Sequence, residues 1–384
     1  MIGKQLSAVS FSRAFVKDSL FRDSKLERFT FNGTRILATE FCNCELESAE
    51  FIGAIFLDFS LSEKKGFVTP WLWTDMKASQ TSFQNSSMSH HGRCRNSTFK
   101  ECCLDKWRAH ARFTDTSFGK CSISQSDLSG SFNSSKFENC TFSKSKLGGS
   151  FTNTRFENCS FIDSELSGSF NGVNFENCTF FENELSGIFA TCEFISCRIS
   201  TSRFKGVFRN VDLSRTNLSN SSFDGPRFDQ VSFAGAELPK TEWRQLILNG
   251  VNLSGCSFSG SRITNPIFQD VNLSDANMQA VVIDGGSLSN VNLDRANLNG
   301  CRIIDGRFVK CSLRQTDLTG ANLSGSWFLA VDGTGVVLRE VVGLGMNLQK
   351  VTFHDAIFDQ ADFTGTSKYR VLADPEATSS AKSW

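Results

Sequence analysis

Apolar residues recur at every fifth position from Phe208 to Phe328, through Leu213, Leu218, Phe223, Phe228, Phe233, Leu238, Trp243 and Leu248, without a break. Two positions before each stands a compact side chain, among them Thr216, Ser221, Ala236, Cys256, Ala276, Ala296, Cys301 and Ala321, with a polar residue between. A period of five fits neither the roughly 3.6 of an α-helix nor the 2 of a flat strand, so the chain must turn a corner about once per repeat. Four such sides close a square coil.

The N-terminal segment obeys the same rule, with Leu6, Phe11, Val16, Phe21, Leu26, Phe31, Ile36, Phe41, Leu46, Phe51, Phe56 and Leu61 at the central position. The sequence has 38 Phe against a single Tyr, Tyr369, which lies outside the repeats. A slot that takes Phe so often and never Tyr offers a hydroxyl no partner, so it is buried and dry.

The near-consensus units Ala276-Asn277-Met278, Ala296-Asn297-Leu298-Asn299-Gly300 and Ala321-Asn322-Leu323-Ser324-Gly325 resemble the pentapeptide-repeat family, whose consensus is Ala-Asp/Asn-Leu-x-x. The resemblance implies an all-β, right-handed parallel quadrilateral β-helix of about four repeats per coil, with coils stacked one strand spacing apart. The expected organisation is repeat coils over 1–61, an irregular insertion over 62–98, coils of a nineteen-residue period over 99–207 and regular twenty-residue coils over 208–328. Looser coils follow over 329–365, where Gly333 and Gly343 replace central apolar residues, then a non-repetitive tail over 366–384 with a disordered Ser/Ala-rich end.

Between Phe113 and Phe208 the coil is one residue short, always at the same corner, so Gly130, Gly149, Gly168, Gly187 and Gly206 form a column. A tightened corner that needs positive φ or close backbone approach selects Gly there. The same period stacks Cys121, Cys140, Cys159, Cys178 and Cys197 at the small inward position. Eleven of the fourteen Cys occupy that position, which reads as buried, reduced packing rather than a disulfide framework. On the outside, Glu138, Glu157 and Glu176 form a like-charge ladder that is either a site for a cation or Arg-rich partner, or a solvated face.

The insertion carries Phe67, Trp71, Trp73 and Met76, residues suited either to a partner-binding surface or to a cover folded back on the coils. Beyond it, His90, His91, Cys94, Cys103 and His110 are weak zinc candidates whose spacing matches no standard finger.

Charge is balanced, 40 Lys+Arg against 40 Asp+Glu, which gives no overall reason to bind nucleic acid or an anionic membrane. No phosphate-binding loop, dinucleotide fingerprint or nucleophile elbow is present, and no cofactor is expected. The sequence therefore reads as a non-enzymatic bacterial interaction scaffold with a protein partner, no membrane insertion and no direct nucleic acid. It begins without an apolar signal region, so the cytoplasm is the expected compartment. The family resemblance adds two alternatives: a DNA-mimicking protector of DNA gyrase or topoisomerase IV, and an effector secreted into a host cell. It also implies a homodimer through an end coil.

Overall fold

The computed structural model describes residues 2–384 except 43, 53, 58–59, 63–71, 85 and 89–91, with backbone alone for 42, 57, 60–62 and 72. The chain divides into two compact units, residues 1–197 and 198–384. Each is a four-sided parallel β-coil whose short strands pair with those one coil further along the sequence.

In the first unit the sides are mostly three-residue strands. Lys136–Glu138 pairs in parallel with Arg155–Glu157, so that Phe137 faces Phe156, and Arg155–Glu157 pairs with Asn174–Glu176 in the same register. Only the middle residue of each triplet points inward. The rings consequently stack: Phe118–Phe137, Phe137–Phe156 and Phe156–Phe175 lie 4.6, 4.8 and 5.0 Å apart and nearly parallel. Each such pair contributes about 0.5–1.5 kcal/mol beyond its burial. A Tyr hydroxyl inside this column would meet only ring carbon, which accounts for the bias towards Phe.

Corners are made by the residue two positions after the central one, which takes a left-handed φ. Asn139, Asn158 and Asn177 do so at 54, 52 and 52°, as Asn tolerates better than most L-residues.

The second unit alternates differently. Over residues 211–310 two sides of each coil are strands, such as Arg262–Thr264 and Ile267–Gln269, and two are tight turns joined by single bridges, as at Asn252↔Asn272 and Asn277↔Asn297; over 311–350 three sides are turns. On the turn sides the residue before the central Leu caps the turn. The Oδ1 atoms of Asn252, Asn272, Asn297 and Asp317 accept the backbone N–H of Ser254, Ser274, Asn299 and Thr319 at 2.9–3.1 Å.

Three segments depart from the sequence expectation. Within 62–98, read as an irregular insertion, Leu72–Thr74, Lys77–Ser79 and Ser82–Gln84 are already coil strands, paired with Glu45–Glu47, Glu50–Ile52 and Ile55–Leu57. Residues 329–365, read as looser, keep the turn pattern of the preceding coils, because the rings of Phe353 and Phe363 fill the space beside Gly333 and Gly343. The tail, read as non-repetitive and then disordered, continues the coil. Ser367–Tyr369 pairs with Asn347–Gln349, and Leu372–Ala373 pairs with Thr352–Phe353. Its last residue, Trp384, packs on Phe353, Phe358 and Phe363 at 6.1, 4.7 and 5.3 Å. Lys368 takes the central position after Leu348, and its ammonium lies 4.2 Å from the Trp384 ring centroid.

Candidate interaction surfaces

Four groups of residues in the first unit can be located. Trp73 and Met76 are fully buried, at 0 and 1% exposure. Trp73 is a central core residue facing Leu46 and Cys94 and stacking 6.0 Å from Phe51, while Met76 fills the inward slot before Ala78. Neither is available to a partner, which corrects their reading as contact residues; Phe67 and Trp71 lie outside the described residues. In both Met76-Lys77-Ala78 and Trp107-Arg108-Ala109 the large side chain sits in the slot and Ala at the centre. The interior volume is kept while the usual order is reversed.

Among the described residues, the weak zinc candidates do not converge. Cys94 is a buried central residue whose thiol burial pushes up to about 11, whereas Cys103 lies on the exposed face of its strand. His110 Nε2 is 3.2 Å from Asp127 Oδ2. His90 and His91 lie outside the described residues. Among the described residues, the grouping that brings three metal-ligating side chains together is instead His354, Asp355 and Asp374 in the second unit.

Glu138, Glu157 and Glu176 do align on one outer face, and a basic column runs beside them. Lys136 Nζ lies 2.8 Å from Glu138 and 3.1 Å from Glu157, and Arg155 pairs with Glu157 and Glu176. Each of the three carboxylates has a cationic partner, two cations to three acids, so the face is a lattice of ion pairs rather than a band of unpaired negative charge.

The two structural columns are also explicit. Built Cβ atoms on Gly149, Gly168 and Gly187 would collide with the carbonyl oxygens of Gly130, Gly149 and Gly168, and one on Gly130 with those of Ala109 and Ala111. These glycines are not in the left-handed region. The short corner omits the left-handed residue altogether, so of the two expected reasons for Gly only close approach applies. Gly206 belongs to the second unit, where its carbonyl accepts the Arg227 N–H at 3.1 Å. Cys121, Cys140, Cys159, Cys178 and Cys197 are buried, and each thiol donates to the carbonyl of a central Phe in the preceding coil, from Phe99 to Phe175, at 3.3–3.4 Å. Thr154 makes the same bond to the Phe132 carbonyl at 3.0 Å. In these coils the slot thus holds a small donor, where others hold Ala or Val.

In the second unit, one outer strand face carries Ile247 and Ile267, direct neighbours in register and 56 and 51% exposed. Further along the same run of paired strands, Arg307 stacks 4.1 Å over Trp327, its register partner. A polar groove of about 280 Å³ on another side is lined by Arg203, Lys205, Asp224, Glu242 and Arg244, with neither imidazole nor thiol in its lining.

A model of pentapeptide repeats matches the chain in eight copies, over residues 207–238, 227–265, 272–308 and 296–328. Residues 207–328 are pentapeptide repeats. Comparison with curated proteins finds no match. Among solved structures it is similar to HetL, a pentapeptide-repeat protein involved in heterocyst differentiation regulation from the cyanobacterium Nostoc. The identity is 17%, over 60% of this chain and 86% of that one, with a TM-score of 0.31. It is also similar to full-length QnrB1, a plasmid-mediated fluoroquinolone resistance protein, at 18% identity over 62 and 93% of the two chains and a TM-score of 0.25.

Two signals in the pentapeptide repeats were readable in the sequence and missed. One is Asn or Asp before the central residue, which marks the turn sides. The other is the lone His354 with Asp355 and Asp374, separated by one coil length and so stacked.

Proposed function

We propose that this pentapeptide-repeat scaffold acts as a non-enzymatic protein-binding surface, and that its contact face is the second-unit side bearing Ile247 and Ile267. The exposed Ile pair carries the reading. Two β-branched side chains on hydrogen-bonded strands are already ordered, so a partner that covers them gains apolar burial at little entropic cost. The Arg307–Trp327 stack adds the residue types that dominate interface energetics. No helix among the described residues is long and apolar enough to cross a membrane.

The ion-paired Glu138, Glu157 and Glu176 ladder gives no support to duplex mimicry, which depends on unpaired negative charge. We place the protein in the cytoplasm, in keeping with its free thiols, and a host-cell location remains the alternative. An end-coil homodimer would use the first coil, where Leu6, Phe11 and Val16 are half-buried and Phe15 is exposed.

The test is affinity capture with the intact protein, an Ile247→Asp/Ile267→Asp variant and an Ile162→Asp/Phe181→Asp control of comparable exposure. Loss of the same captured protein with the first variant alone supports the face. Equal capture by the intact protein and that variant overturns it. Gyrase supercoiling assays with the intact protein test the topoisomerase alternative directly.

A further inference from the structure

We propose that His354, Asp355 and Asp374 form a binding site for one divalent transition-metal ion, Zn²⁺ by its donor set, that ties the C-terminal segment to the coil preceding it. His354 and Asp355 follow the strand Thr352–Phe353, and Asp374 follows Leu372–Ala373, which pairs with it so that Phe353 faces Ala373. Parallel stacking thus brings side chains twenty residues apart into one cluster. One ligand atom from each of the three lies within 4.8 Å of the others.

His354 Nδ1 is 2.9 Å from Asp374 Oδ1, and His354 Nε2 is 3.8 Å from Asp355 Oδ2. A single ion takes one imidazole nitrogen: metal–ligand distances of about 2.0–2.2 Å place tetrahedral ligand atoms roughly 3.3 Å apart, near the Nδ1–Oδ1 separation, while Asp355 faces the other nitrogen and its exposed carboxylate must turn to join the same ion. The Asp355 N–H donates to Asp374 Oδ2 at 2.7 Å, which holds the carboxylate in place and leaves Oδ1 facing the imidazole. One imidazole with two carboxylates suits Zn²⁺ or Co²⁺, whereas Ca²⁺ and Mg²⁺ call for an all-oxygen shell. The side chains are solvent-accessible, so an ion can reach them and water can complete its shell.

Asp374 opens the segment that forms the short helix Pro375–Thr378 and ends with Trp384 on the core rings. An ion that joins it to His354 fastens that segment and stabilises the folded state by mass action.

The experiment is calorimetric titration of the chelator-treated full-length protein with ZnCl₂, repeated with CoCl₂ while visible absorption is followed. The proposal expects one equivalent bound, a rise in melting temperature, and slower proteolysis after residue 373. His354→Ala and Asp355→Asn should each weaken binding about tenfold or more, with unchanged circular dichroism. Cys103→Ser, His110→Ala and a His90→Ala/His91→Ala pair should leave it intact. The absence of saturable binding overturns the proposal. So does binding that survives His354→Ala and disappears in one of the other variants.

Discussion

The two units solve the same problem with different chemistry. Residues 128–185 line three of their four inner columns with stacked Phe and the fourth with Leu128, Leu147, Leu166 and Leu185, beside the short Gly corner. Residues 251–323 use mostly Leu on the turn sides, with Phe258 and Met278, and Ile263, Ile283 and Ile303 on a strand side, where a β-branched residue is at ease. The family model matches only within residues 207–328, in the second unit, although both units coil in the same way. The turns of that stretch carry Asn or Asp before Leu, whereas the coil itself requires only an inward residue every fifth position.

If the Phe columns hold the first unit together, removing one ring should have the largest effect of any single truncation. Phe156 is fully buried between Phe137 and Phe175, and Phe156→Ala should cost about 3–5 kcal/mol. Ile283→Val in the second unit should cost only about 0.5–1.5 kcal/mol. Chemical denaturation of both variants ranks them, and an equal cost would refute the Phe columns as the chief support of the first unit.

The corners give the next contrast. Gly168→Val drives a side chain into the Gly149 carbonyl, part of a rigid backbone, and should cost about 1–3 kcal/mol or more through overpacking. Gly300→Ala, at a left-handed corner with open space around it, meets no atom and should lose only about 1–2 kcal/mol of backbone preference. An unchanged melting temperature for Gly168→Val would refute the close-approach account of the short corner.

These contrasts show how much was legible in the residues. The inward positions, the nineteen-residue coil and the Gly column follow from a pattern that repeats, because each coil imposes the same steric demand on the next. Met76 and Trp107 were not legible, since exchanging the large and small positions within one repeat conserves volume and erases the motif. Gly333 and Gly343 misled for a related reason, as rings one coil further along supply the missing volume. The neutralising partners of the acidic ladder could have been read. Lys136 and Arg155 stand two residues before Glu138 and Glu157, on the same face of a strand.

Capped turns should matter less than corners, and unequally. Asn297→Ala removes an acceptor for the Asn299 N–H and should cost about 0.5–1.5 kcal/mol. Asn347 also precedes a central Leu but lies on a strand side, where its Oδ1 is buried without a partner, so Asn347→Ala should be neutral or stabilising. Val337 and Val342 hold bridged turns with no such cap, so the cap biases the side towards a turn and does not dictate it. Equal losses at Asn297 and Asn347 would remove the cap from the explanation.

The smallest effect belongs to the exposed ion pairs, and its sign is fixed by titration. Arg295 holds Asp275 through Nε and Nη2 at 2.7 and 2.8 Å, and this hydrogen-bonded guanidinium draws the Asp275 carboxyl below its ordinary value. In the first unit Lys136 does the same to Glu138. A carboxyl whose folded pKa is depressed adds stability above its unfolded value, about 3.9 for Asp, and loses it as the pH falls through the folded value. Asp275→Asn should therefore lower the melting temperature slightly at pH 6, and the difference should close as the pH falls below about 4. Because the pair is exposed, salt should shrink the difference at pH 6 as well. A gap that stays constant from pH 6 to about 2.5 would show that Asp275 acts through packing or hydrogen bonding in its neutral form, and that the charges on the coil faces serve solubility rather than the stacking of coils.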